Sequence, residues 1–317
     1  MPKQALLPET GTKRRRPNAV ARQLRKNWDL YLLIAPVIVF FIVFEYIPMY
    51  GVQIAFKNFI ATKGIWGSPW VGFRHFERFF ESYYFWRLLK NTLGIGLYQL
   101  LVGFPIPIAL ALLINEVKSK AFSRFVQTVT YAPHFLSTVV MVGILFIFLS
   151  PQTGLLNKAI TLLWGEPIDF LTEPAWFKSI YVWSGVWQQM GWSSIIYLAA
   201  LTGIDPQLHE AARVDGAGRL RRIWHINLPG IAPTITILLI LNMGSLLSVG
   251  FEKVFLMQNS LNMQASDIIA THVYRKGIID GQYSYSAAVG LFNSVINFVL
   301  LILVNRIARK VNDTSLW

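Results

Sequence analysis

Cysteine is absent from the 317 residues, so no disulfide, thiolate nucleophile or cysteine-ligated zinc site can be built. Charge is scarce. Only 14% of residues are Asp, Glu, Lys or Arg, where soluble domains carry roughly a quarter. The short motifs of common enzyme chemistry are also missing. No G-x-x-x-x-G-K-[ST] phosphate loop occurs, so the chain does not hydrolyse ATP by that route. Neither H-E-x-x-H nor G-x-S-x-G is present. His75, His134, His209, His225 and His272 are dispersed without metal-ligand spacing. These absences argue against a soluble enzyme and leave transport or scaffolding within a membrane.

What is abundant is apolar sequence, 54% of residues, with a mean hydropathy of +0.45. A helix needs about 20 mostly apolar residues to cross a bilayer. Six stretches qualify: near 30–50, 91–114, within 125–150, 179–204, within 229–251 and within 283–305. The first tolerates Glu45 close to its outer end, and the second, third and fourth contain no Asp, Glu, Lys or Arg. The expected fold is all-α, a polytopic membrane protein with six transmembrane helices.

The net charge is +13 and the isoelectric point about 10. A basic chain invites a nucleic-acid reading. Here the charges lie between apolar runs, and no recognised nucleic-acid module is present. The positive-inside rule accounts for the pattern better. Eighteen Lys and Arg fall in the N-terminal tail, the 115–124 and 205–229 loops and the C-terminal end; eleven fall in the alternate loops. Both termini are therefore expected in the cytoplasm. The tail "KRRRPNAVARQLRK" reads as a topology anchor touching anionic lipid. It is not a cleavable signal peptide, since the apolar run after it is long and no small-residue cleavage site follows. Outer residues 63–86 are dense in aromatics. Trp66, Trp70, Trp86, Tyr83 and Tyr84 suit the membrane interface or a docking surface for an external partner.

One polar stretch stands out, "HEAARVDGAGRLRRIWHINLPG", His209–Gly230. Asp205 before Pro206 is a helix start, with an N-cap acceptor and then proline at the first helical position. Gly216 and Gly218 are expected to break the helix, and a second helix then runs from Arg219 to Pro229. A helix of about three turns is too short to be stable alone in water. It must dock on something, or else merely cap the bundle.

Glu210-Ala211-Ala212, Gly216, Ile226 and Leu228-Pro229 match E-A-A-x-x-x-G-x(9)-I-x-L-P at all seven specified positions. That signature marks the permease subunits of bacterial ATP-binding-cassette importers, which this chain resembles. The likeness covers roughly residues 25–310 and includes "LLKNTLGIGLYQLLVGFPIPIALALLINE", "VTYAPHFLSTVVMVGILF" and "WQQMGWSSIIYLAALTGIDPQLHEAARVDGAG". It is nearest the carbohydrate class, the maltose and oligosaccharide permeases. "YIPMYGVQIAFKNF" and "SVGFEKVFLMQNSL" resemble the subgroup serving complex saccharides, including alginate.

The resemblance implies a type I importer permease core of the MetI-like kind in the bacterial cytoplasmic membrane. It implies a second permease, forming a heterodimer, two ATPase subunits carrying ATP and Mg, an external solute-binding protein and a saccharide substrate. No cofactor is expected on this chain itself. Residues 1–28 would be a basic cytoplasmic tail, and 29–90 the first span with the aromatic outer loop. Residues 91–310 would be the five-helix core with a cytoplasmic coupling loop at 205–229, and 311–317 the C-terminal tail. Glu210, Ala211, Ala212, Arg213, Asp215 and Gly216 would couple to an ATPase. Ala211 and Ala212 would permit close packing, Glu210 would pair with a basic residue, Gly216 would allow the turn, and Arg213 and Asp215 would make rim contacts.

Comparison with the maltose permease from the Glu210 motif places Gln188, Gln189 and Trp192 on sugar-contacting positions, although the residue types differ. The same count reaches Ser245, Leu246 and Val249, and with one gap Tyr131 and His134. Ordinary helix packing, in which Ser and Gln bond across neighbours, is the other reading of these residues. Glu252 and Lys253 are expected to pair with each other, the alternative being that they face an acidic sugar. Three competing functions stay open. One is a permease for a sugar phosphate or amino acid. Another is a secondary transporter, although no internal repeat is visible. The third is a membrane scaffold that transports nothing.

Overall fold

Proline, capping side chains and long apolar runs set where the helices begin, bend and end. A computed structural model describes residues 26–312, 315 and 316. Of the expected tails, residues 1–25 and residues 313, 314 and 317 lie outside the described residues. The chain divides into two compact units between Gln53 and Ile54. In the first, α1 (Trp28–Phe41) continues through a π-helical turn, Ile42–Tyr46, and no residue of either is buried. The apolar helical run Trp28–Phe56 is 29 residues long.

The second unit is helical, with one isolated antiparallel bridge, Lys57–Trp70, among the described residues. Helix α2 (Arg74–Phe80) buries Phe79 against Leu88, Ile269, Tyr285 and Val289. The expected outer loop is therefore an ordered layer, while Trp66, Trp70, Tyr83, Tyr84 and Trp86 stay exposed. Helix α3 (Phe85–Tyr98) passes through a π-helical turn, Gln99–Gly103, into α4 (Pro105–Asn115). Pro105 has no N–H to donate, which locates the irregular turn just before it.

The span expected within 125–150 is broken. Helices α5 (Lys120–Tyr131) and α6 (Thr138–Leu149) meet at 102°. Pro133 lies in a 3₁₀ turn, Leu136 is extended, and the Ser137 hydroxyl caps α6 by accepting from Val140 N–H. The sequence Pro-x-x-x-Ser thus ends one helix and starts another. A short helix, α7 (Leu155–Trp164), ends at Gly165 in the left-handed conformation.

Helix α8 (Pro174–Thr202) has 29 residues, about 43 Å at 1.5 Å per residue. It starts five residues before the expected 179 because Pro174 suits a first helical position. Its Phe177, Tyr181, Val182 and Val186 join Ile95, Val142, Val249, Val254 and Ile268 in the largest buried cluster. Helix α9 (Pro206–Val214) follows, then α10 (Arg219–Arg222), which runs on as a π-helical turn and a final turn to Gly230. After a 61° bend at Pro229–Ile231, α11 (Ala232–Gly244) begins. The expected span to 251 is cut short, and residues 245–249 are unwound.

Helices α12 (Phe251–Met257) and α13 (Ile269–Tyr274) precede α14 (Tyr283–Asn312), which packs along α11. Helix α14 extends beyond the expected 305, and Leu316 N–H donates to Asn305 Oδ1 at 2.9 Å. Among the described residues, three helices are long and apolar enough to cross a membrane, or up to five if each bent pair is one span. Helix α8 is equally long but more polar, carrying Gln188, Gln189 and several serines.

Candidate functional site

Helix α9 forms by local signals. The Asp205 carboxylate accepts from Gln207 N–H at 2.9 Å, and Pro206 takes the first helical position. At the other end Ala217 N–H bonds Ala212 C=O at 2.8 Å, and Gly216 N–H bonds Arg213 C=O at 3.1 Å. Those two bonds make a Schellman cap, which needs a left-handed residue. Gly216 supplies it with φ +74°. Gly218 does not break the helix in this way. Its φ is −70° and it caps the start of α10. Glu210, Ala211, Arg213, Asp215 and Gly216 are exposed and Ala212 is half-buried. Leu208 and Val214 are exposed too, Val214 at 89%, so α9 presents apolar side chains that no described residue covers.

The loop is braced from beneath. Arg222 Nη2 meets Glu116 Oε2 at 3.3 Å, with side-chain exposures of 12% and 17%. Arg222 Nη1 donates to Ala217 C=O at 3.2 Å, and Asn227 Nδ2 donates to Glu116 Oε1 at 3.4 Å. The turn after α9 is thereby tied to the end of α4. Nothing in sequence spacing brings Glu116 and Arg222 together. A lone acidic residue closing an apolar run was the available signal.

Farther along the bundle a cavity of about 690 Å³ lies among α3, α4, α8, α11 and the unwound segment. Gln189, Trp192, Ser245, Leu246 and Val249 line it. Gln99, Ser193, Asn242 and Ser248 line it as well. Their signal was present in the sequence, since polar residues within apolar runs mark pathways. The unwinding at residues 245–249 is held by three bonds. Leu247 N–H donates to Asn297 Oδ1, Asn297 Nδ2 to Ser248 Oγ, and Gly250 N–H to the Tyr181 hydroxyl, at 3.0 to 3.1 Å. Gly96 lets this segment approach α3, because a Cβ there would overlap the Leu246 carbonyl oxygen. Irregular backbone at membrane depth is tolerated where it lines a cavity or is buried in protein.

His134 Nδ1 and Gln189 Oε1 are 2.9 Å apart, and the His134 ring stacks on Trp192 with centroids 4.3 Å apart and planes at 3°. Sequence-distant residues thus meet at the cavity wall. Gln188 serves the break instead. It is 8% exposed, lies off the cavity, and its amide donates to Leu136 C=O at 2.9 Å. That carbonyl was freed where the third span bends, and Gln188 satisfies it. Tyr131 ends α5, half-buried, and does not line the cavity.

The expected Glu252–Lys253 pair does not form; Glu252 is exposed while Lys253 is buried. Adjacent residues on a helix point about 100° apart and do not face each other. Lys253 Nζ donates to Tyr181 C=O at 2.9 Å and lies 4.8 Å from the Tyr181 ring centroid. Burial pulls its pKa down to about 8. A separate polar hub surrounds Asp267, which is fully buried. Arg275 and Arg87 reach its carboxylate at 2.7 and 3.2 Å, and Thr271 Oγ1 donates to it at 3.0 Å. Nearby His272 is buried against the Tyr285 hydroxyl at 3.2 Å.

Long apolar helices around a partly polar cavity are the architecture of a membrane permease. The comparisons make the class specific. Residues 103–313 match the model of the binding-protein-dependent transport system inner membrane component family, and the chain belongs to that family. It is 48% identical to Protein LplB of Bacillus subtilis (strain 168) over 92% of each chain. It is 45% identical to the polygalacturonan/rhamnogalacturonan transport system permease protein YteP of the same organism, covering 96% of this chain and 95% of that one. Among solved structures, a chain of a bacterial alginate ABC transporter in complex with alginate pentasaccharide-bound periplasmic protein matches with a TM-score of 0.86. The identity is 41%, over 93% of this chain and 99% of that chain.

Proposed function

We propose that the chain is the permease subunit of an ATP-driven importer of oligosaccharides or polysaccharides in the bacterial inner membrane. The observation that carries this reading is the cavity walled by an unwound membrane segment together with an uncovered loop helix bearing the full E-A-A-x-x-x-G signature. The names of YteP and of the alginate transporter support a saccharide as the solute. In this reading α1, α3–α4, α5–α6, α8, α10–α11 and α14 are six spans, and both termini face the cytoplasm. Residues 29–90 form the first span and outer layer, and 91–310 the core.

The chain works beside a second permease as a heterodimer. Two ATPase subunits carry ATP and Mg, and an extracytoplasmic binding protein delivers the solute. Helix α9 is the coupling helix. Leu208, Ala211, Ala212 and Val214 seat in a groove of one ATPase, with Glu210, Arg213 and Asp215 giving charge contacts. When the ATPases close on ATP, the loop moves, and the Arg222–Glu116 brace passes that motion to α4 and the cavity. Access to the cavity then switches between the two membrane faces, a two-state rigid-body change biased by nucleotide. Within the cavity, Trp192 offers an aromatic face, and Gln189, Ser245 and the neighbouring Asn242 offer hydrogen bonds, the chemistry that holds sugars. His134 positions Trp192. Leu246 and Val249 supply apolar wall, and Tyr131 packs behind it.

Glu210→Lys should leave the chain in the membrane and lower solute-stimulated ATPase activity of the reconstituted complex. Normal stimulation in that variant would sink the coupling assignment. Uptake of radiolabelled solutes across a saccharide, sugar phosphate and amino acid panel separates the saccharide reading from the other solutes.

A further inference from the structure

The apolar residues of α7 are Leu155, Leu156, Ala159, Ile160, Leu162 and Leu163. At 3.6 residues per turn they share one face, within an arc of about 160°. All four leucines are exposed, Leu162 at 87% and Leu163 at 68%. Thr161 stands on the opposite side and Lys158 flanks the apolar arc, both exposed. A helix of 10 residues is too short to hold itself together in water. So broad an apolar face on so short a helix needs a cover, and no described residue supplies it.

The depth of α7 is fixed by Asn157, on the side away from the leucines. This side chain is buried. Its Nδ2 lies 2.9 to 3.2 Å from the carbonyl oxygens of Leu149, Ser150 and Ile168, and its Oδ1 accepts from Ile168 N–H at 2.8 Å. Leu149 is the last residue of α6, so α7 is tied directly to the end of a membrane segment. The turn between them is tight, because a Cβ on Gly154 would overlap the Phe148 and Ser150 carbonyl oxygens. Phe146, Ile147 and Phe148, in the last turn of α6, are exposed. Uncovered apolar surface therefore continues up α6 to the turn that leads into α7.

A protein partner would find no hydrogen-bonding side chain on this face, whereas protein interfaces carry about one hydrogen bond per 100–200 Å². Acyl chains require none. A one-sided apolar helix with a basic residue beside its apolar arc is the pattern of a helix lying in a membrane interface. We propose that α7 lies in the outer interface of the bilayer, its leucine face among acyl chains and Thr161 toward water. Lys158 lays its stem along the apolar edge and carries its ammonium to headgroup level. The proposal rests on the permease reading in one respect, that α6 sits in the bilayer with Leu149 at the outer end.

The chain has no cysteine, so one introduced cysteine carries one spin label. The test uses the complete importer in lipid nanodiscs, with cysteine-free partner subunits. Collision of the label with oxygen, which concentrates among acyl chains, is compared with collision with a nickel chelate confined to water. Labels on Leu155→Cys and Leu163→Cys should favour oxygen, with an oxygen-to-nickel ratio severalfold above that on Thr161→Cys. Ile147→Cys, in α6, is the reference within the bilayer. Leucine-face labels that match the Thr161→Cys ratio overturn the proposal, and an Ile147→Cys label that still favours oxygen leaves the permease reading standing. Leucine-face labels shielded from both reagents place a protein on this face, the second permease or the binding protein, and also overturn the proposal. An Ile147→Cys label that favours nickel overturns both.

Discussion

Gly216 and Gly218 stand two residues apart in the loop, and the structure assigns them opposite tolerances. Gly216 has φ +74° and closes the Schellman cap of α9; Gly218 has φ −70°. A Cβ added at either one would meet nothing within 4 Å. Space is therefore equal, and any difference between Ala variants is backbone strain. An L-residue in the left-handed region costs about 1–2 kcal/mol. Helix α9 has nine residues and no stability of its own to absorb that loss. The docked loop conformation should fall in population by about 5- to 30-fold. The assay is titration of purified ATPase subunits onto the permease pair in lipid nanodiscs. Gly216→Ala should weaken apparent affinity by that factor, Gly216→Asn by less because Asn tolerates the left-handed region, and Gly218→Ala by less than about twofold, within the ±0.5 kcal/mol usual for substitutions away from strained sites. Equal affinity for Gly216→Ala and Gly218→Ala would refute the argument.

Three further outcomes are expected. At 3.3 Å the Arg222–Glu116 attraction is about 5 kcal/mol at an effective dielectric near 20, of which desolvation leaves about 1–3 kcal/mol. Arg222→Gln and Glu116→Gln should each reduce solute-stimulated ATPase activity, and the double variant should be no worse than either; additive losses would show that the brace does not act as a pair. Gln188→Leu leaves the Leu136 carbonyl unsatisfied and should cost about 1–3 kcal/mol, read as a lower melting temperature in detergent, whereas Gln189→Leu should impair uptake more than melting. Burial, partly offset by Asp267, lowers the His272 pKa from 6.5 to about 4. The unfolded His272 takes its proton near 6.5 and the folded one only near 4, so stability should decline as pH falls through that window. A His272→Asn variant, its melting followed against pH, should flatten that decline.

The parts of this protein that were legible from its sequence are those decided within a few residues. Asp205, Pro206 and Gly216 cap α9 through bonds that span at most five positions, so the helix and its break can be read directly. Apolar runs reveal the spans because burial of a backbone in lipid demands continuous helix. Boundaries were less legible where a distant side chain intervenes. The third span breaks at Pro133 and Ser137, and the Leu136 carbonyl freed there is satisfied by Gln188, 52 residues away. The fifth unwinds because Asn297 and Tyr181 hold residues 247–250.

By itself, the sequence determined that this is a helical membrane permease and where the exposed loop helix α9 starts and stops, because caps, glycines and hydropathy act locally. Only the tertiary structure decided which of two adjacent glutamines faces the cavity. It likewise paired Glu116 with Arg222 across 106 positions and turned Lys253 onto the Tyr181 carbonyl rather than onto Glu252. Helical periodicity says which residues share a face. What that face meets depends on helices far along the chain.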